Sequence, residues 1–112
     1  MDYFSIYVTC ANEEEARHIG RTVVEERLAA CANLLGKIES FYHWEGRLQQ
    51  DTECALLLKT TGENLDRLTA RVKQLHSYRV PCVVAWPISS GYPPYLDWVA
   101  EECQAAFREP VR

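Results

Sequence analysis

The sequence has no strong excess of positive charge: 16 acidic residues stand against 12 basic ones, for a formal charge of −4. A protein that grips a nucleic-acid backbone usually carries a basic face, so no nucleic-acid partner is expected. No apolar run approaches the ~20 residues of a membrane span, and an acid follows the first methionine where a signal peptide carries bases. No membrane insertion and a cytoplasmic setting are therefore expected. There is no CxxC pair, and the cysteines number five, at 10, 31, 54, 82 and 103. An odd, widely spaced set makes a poor disulfide framework and no zinc knuckle. Small buried hydrophobes are the simpler reading of these thiols. Also missing are a Walker loop, a GxGxxG, a nucleophile elbow and HExxH spacing, so no catalytic residue is assigned and no enzyme is expected.

What is present is a chain of 112 residues, 47% hydrophobic, read as a single domain over 1–112. Its organising stretch is 41–60, FYHWEGRLQQDTECALLLKT. It begins aromatic, turns near Glu45-Gly46-Arg47 and returns as a strand with an apolar run at Ala55-Leu56-Leu57-Leu58. Alternate strand residues point to opposite faces, so this run is greasy on both. One face suits an internal core and the other a subunit interface; a short helix through 53–59 is the competing reading.

Around it the chain reads as strand, helix, strand, strand, helix, strand and an added helix. Residues 3–9 form the first strand, with Phe4, Ile6 and Val8 on one face. Asn12 caps a helix running to about Leu28, with Glu15 as the reciprocal partner of a capping-box-like pair. A long strand follows from Cys31 to Trp44, with Gly36 marking a bulge. Its partner runs from about Leu48 to Thr60, and arms this long project beyond the domain body. Thr61 caps a second helix with Leu65, Leu68, Val72 and Leu75 inward. Cys82 to Trp86 read as a fully buried strand. A last helix starts near Pro94, with Tyr95, Trp98, Val99 and Cys103 as its apolar side, and the tail after Arg108 reads as frayed. This order matches an α+β, ferredoxin-like split βαβ sandwich with a long central hairpin and an extra C-terminal helix.

Several polar residues sit where chemistry is possible. His43 lies between Tyr42 and Trp44, but strand alternation sends it to the face they do not share. Glu53 and Lys59 share a face yet stand about 20 Å apart, too far to pair. Lys59 closes an apolar run, so its charge reaches water or binds an anion. His76 follows the second helix, a position that favours histidine by itself and also offers a metal ligand.

The pieces YVTCANEEEARHIGRTVVEERLAACANLL (7–35), FYHWEGRLQQDTECALLLKT (41–60), LHSYRVPCVVAWPI (75–88) and GYPPYLDWV (91–99) together resemble the CutA divalent-cation-tolerance family. The resemblance implies a tight homotrimer of ferredoxin-like subunits, associated with tolerance of copper and other divalent cations and without enzymatic activity. Animal relatives are linked to membrane anchoring of acetylcholinesterase; a chain that opens on its first strand suits the cytoplasmic form better. The resemblance further implies a ligand pocket near the subunit interfaces, carried over to Trp44, Glu53, Lys59, His76, Tyr78, Tyr95 and Trp98. Metal candidates are His76, Glu53, Cys10, Cys31 and His43, with no obligatory cofactor and copper or another divalent cation as the ion. A small-molecule-sensing trimer, using Lys59 and the aromatics to read an organic anion, is the alternative. Cys54, Cys82 and Cys103 depart from the family pattern.

Overall fold

The computed structural model describes residues 1–104. Strands β1 (Tyr3–Cys10), β2 (Cys31–Trp44), β3 (Arg47–Thr61) and β4 (Val83–Pro87) and helices α1 (Glu13–Glu25), α2 (Leu65–Leu75) and α3 (Pro93–Gln104) follow in the order β1-α1-β2-β3-α2-β4-α3. The strands form one sheet in the order β2-β3-β1-β4, with every neighbouring pair antiparallel. This is the split βαβ arrangement with an added C-terminal helix. The tail after Arg108 lies outside the described residues.

One face of the sheet is closed by α1 and α2. Ile6, Val8 and Cys10 of β1 and Cys54, Leu56 and Leu58 of β3 meet Ala16, Ile19 and Val23 of α1 and Leu68 and Val72 of α2. The pattern follows from periodicity: every second strand residue and every third or fourth helix residue is apolar, so each element has one dry side. A smaller cluster of Ala30, Val99 and Cys103, with Tyr3 against it, fixes α3.

The hairpin has the two features its sequence announces. The register shifts between Leu34 and Gly36, and Gly36 takes φ 110, a region closed to most side chains. At the tip Trp44 pairs with Arg47, leaving the two-residue turn Glu45-Gly46 with φ 51 and 79. Two consecutive positive φ values give the primed turn whose twist matches that of the strands. β1 accompanies β3 only as far as the pair Cys10–Cys54. From Glu53, opposite Ile38, to the tip, β2 and β3 have only each other among the described strands. The projecting two-stranded arm expected from the sequence thus begins at Glu53.

Three local expectations need correction. α1 stops at Glu25 rather than Leu28, because Arg27 enters the left-handed region (φ 63) and the amides of Leu28 and Ala29 fold back onto the Val23 carbonyl. Thr61 makes no side-chain capping bond; a 3-10 turn, Gly62–Asn64, leads into α2 instead. Cys82–Trp86 is not a fully buried strand. β4 is an edge strand, Val83–Pro87, and only Val83 packs on the core; Val84 and Trp86 are half exposed on the helix-free face.

Candidate functional site

Where β1 ends and the arm leaves the sheet, three side chains from distant parts of the chain converge. Cys10 is the last residue of β1, Glu15 lies in the first turn of α1, and His76 follows α2. One donor atom from each lies within 4.8 Å of the other two. Local structure places them. Asn12 caps α1 by accepting from the Glu15 amide at 2.8 Å, and the Glu15 carboxylate turns back to accept from the Ala11 amide at 2.9 Å. Its other oxygen reaches across to the Ser77 amide at 3.0 Å, tying α1 to the end of α2. The capping residue read from the sequence is therefore also a long-range clasp.

The hydrogen bonds fix the protonation of His76. Its Nδ1 accepts from the Tyr78 amide at 3.1 Å, so the ring proton sits on Nε2 and is donated to the Thr9 carbonyl at 2.8 Å. The ring is neutral in this arrangement, and its 3.7 Å approach to Glu15 is not an ion pair. Burial opposes ionisation of Glu15, but the bonds from Ala11 and Ser77 outweigh it and hold the carboxyl below the ordinary range. Burial, followed by the neighbouring acids Glu15, Cys54 and Glu53, pushes the Cys10 thiol up to about 12. Cys10 is therefore a neutral thiol at pH 7, and an ion bound there must displace its proton.

Beside this cluster, between the arm and the 78–82 segment, lies a cavity of about 550 Å³. It is lined by Phe41, Tyr42, Trp44 and Tyr78, by the carboxylates of Asp51 and Glu53, and by Thr9, Ser40, Arg79, Val80 and Cys82. The Tyr78 hydroxyl donates to Glu53 at 2.8 Å, the Tyr42 hydroxyl donates to Asp51, and the Arg79 guanidinium stands 5.8 Å from the Trp44 ring centroid. Burial and the bond to Glu53 raise the Tyr78 phenol, and the bond to Asp51 raises Tyr42. Both phenols are donors fixed on carboxylates rather than bases.

The seven pocket residues carried over by resemblance are divided among separate places on this chain. Trp44, Glu53 and Tyr78 line the cavity, and His76 sits behind it in the cluster with Cys10. Lys59, Tyr95 and Trp98 lie elsewhere: Lys59 pairs in register with Cys31 and donates to Asn33 at 3.4 Å, while Cys31 touches the Tyr95 hydroxyl at 3.4 Å. The Tyr95 and Trp98 rings lie 5.6 Å apart. Of the metal candidates, Cys10 and His76 meet. Glu53 is next to the cluster, Cys31 belongs with Tyr95, and His43 sits near the arm tip opposite Leu48. The sequence marked Glu15 only as a capping residue, and Asp51 and Arg79 escaped the sequence reading.

These elements recur in known proteins. The family model for the CutA1 divalent ion tolerance protein matches residues 4–102. The chain belongs to the CutA1 family. The divalent-cation tolerance protein CutA of Thermus thermophilus is 47% identical over 86% of this chain and 93% of its own. The solved structure from that organism superposes with a TM-score of 0.87 at 45% identity, covering 89% of this chain and 97% of the other. The structure of the periplasmic divalent cation tolerance protein CutA from Archaeoglobus fulgidus gives 0.87 at 40% identity, over 90% and 98%. Mouse protein CutA is 46% identical over 83% of this chain but only 52% of its own length. The chain thus spans about half of its mouse relative.

Proposed function

We propose that this CutA1-family protein is a non-enzymatic, divalent-cation-binding homotrimer, with Cys10, Glu15 and His76 as the ligands. The observation that carries this reading is the convergence of one sulfur, one nitrogen and one oxygen donor within 4.8 Å. A metal ligand atom stands about 2.0–2.3 Å from its ion, so small side-chain rotations bring all three onto one centre. Sulfur, imidazole and carboxylate together suit copper or another borderline ion better than calcium or magnesium. Free cysteines throughout are consistent with a reducing, cytoplasmic setting.

The residues fit an ion at a defined cost. Each Glu15 oxygen keeps a second lone pair, but Nδ1 of His76 has one, now used by the Tyr78 amide. Binding must therefore move that amide and release the Cys10 proton, so affinity rises with pH. Titration calorimetry of the protein with Cu(II) and Zn(II) tests the assignment. Cys10→Ser and His76→Gln are each expected to weaken binding at least tenfold, the scale on which ligand-shell changes act. Unchanged affinity in both variants overturns it.

The cavity favours a second reading, a small-molecule sensor. Two carboxylates and four aromatic rings line it against the single guanidinium of Arg79, while Lys59 stands apart, which suits an organic cation better than the anion expected from the sequence. A thermal-shift screen of alkylammonium and guanidinium compounds should show stabilisation that Glu53→Gln removes; equal shifts in both proteins count against it.

A further inference from the structure

Cys54 is one of the cysteines that depart from the family pattern, and the fold gives it a specific neighbour. It is the register partner of Cys10 across β1 and β3, the last pair before the arm separates. Directly opposed residues on antiparallel strands share a face, with Cβ atoms roughly 4.5–5.5 Å apart. Here that face is the helix-covered one: both cysteines belong to the main core cluster and are 0% and 1% exposed. The Cys54 thiol makes only a long contact, 3.8 Å, to the carbonyl of Ala55.

We propose that Cys54 joins Cys10 as a second sulfur ligand, making the β1–β3 terminus a site for a soft monovalent cation such as Cu(I), with His76 as third ligand. The proposal rests on the Cys10–His76 part of the metal reading above and extends it in chemical class. Two thiolates on one ion stand at most about 4.6 Å apart, taking about 2.3 Å for each metal–sulfur bond. That is close to the Cβ spacing the register imposes; the Cys54 sulfur stands outside the 4.8 Å group of Cys10, Glu15 and His76, so it must rotate toward Cys10 to bind. Softness then sorts the ions: a borderline divalent ion takes Cys10, Glu15 and His76, while Cu(I) exchanges the hard carboxylate for the second sulfur. On binding, two S–H bonds break and two metal–sulfur bonds form. Both protons pass to solvent, and the metal does not change oxidation state.

The test uses the reduced full-length protein without oxygen, with Cu(I) supplied in competition with bicinchoninate and the bound ion read by X-ray absorption. The wild type is expected to show two sulfur scatterers. Cys54→Val, close to cysteine in size, should show one and lose roughly 100-fold or more in Cu(I) affinity, at or beyond the upper end of what ligand-shell changes cost. A single sulfur in the wild type, or wild-type affinity in Cys54→Val, overturns the proposal; the wild-type sulfur count stands even if the variant fails to fold. Cys10→Ser separates the two readings. If Cys54→Val changes nothing while Cys10→Ser loses Zn(II) binding, the three-residue site stands without Cys54. If Cys10→Ser also changes nothing, both fall.

Discussion

At the scale of single residues, Glu15 has the most consequences. Its two oxygens bind the amides of Ala11 and Ser77, so one carboxylate joins the end of β1, the start of α1 and the segment after α2. Glu15→Gln replaces one acceptor with a donor facing an amide, and a poorly satisfied group of this kind costs about 1–3 kcal/mol. A urea melt at pH 7 should show a loss of that size. The sign of the pH dependence follows from the lowered carboxyl. Glu15 stabilises the fold fully above its unfolded value of about 4.3. That contribution fades as pH falls through the still lower folded value. Acid unfolding of the wild type should therefore be steeper below pH ~4.3 than that of Glu15→Gln; parallel curves refute the clasp.

At the scale of elements, the long hairpin is the part whose design shows most plainly in local chemistry. Gly36 sits at the register shift with φ 110, and a Cβ there would meet nothing within 4 Å. The cost of Gly36→Ala is therefore purely conformational, about 1–2 kcal/mol. Thermal denaturation should register it as a lower Tm; an unchanged Tm means the bulge relaxes. The arm was readable because its aromatic start, Gly46 and its length are all local facts. β4 was readable as a strand but its exposure was not, because a run such as Cys-Val-Val-Ala-Trp is the same string in a central strand or at an edge. Only the sheet order, with β4 beside β1 alone among the described strands, exposes Val84 and Trp86.

At the scale of the whole molecule, the helix-free face raises the question of assembly. The Tyr7 and Trp86 rings meet at 5.7 Å on that face, with Val84 beside them, and Val84 and Trp86 are half exposed. Apolar area of this extent on a small domain marks a contact surface. Sedimentation equilibrium at low micromolar concentration should give a single species of three chains. Trp86→Asp should shift it toward smaller species, because burying an unpaired carboxylate in an apolar contact is strongly unfavourable. A monomer in the wild type removes the homotrimer from the proposed function and leaves the metal cluster, which is complete within one chain.

The sequence by itself determined the order of elements, the core faces of β1, α1 and α2, the bulge, the projecting arm and the family. Each rests on periodicity, on a turn residue or on a motif that survives as a string. The tertiary structure alone decided which polar residues meet. Cys10, Glu15 and His76 are drawn from three elements, and Cys10 faces Cys54 only through strand register. Lys59, although on the same strand as Glu53, is carried to a different neighbourhood. Side-chain convergence depends on how strands pair and helices dock, and those long-range contacts leave no mark on the spacing of residues along the chain.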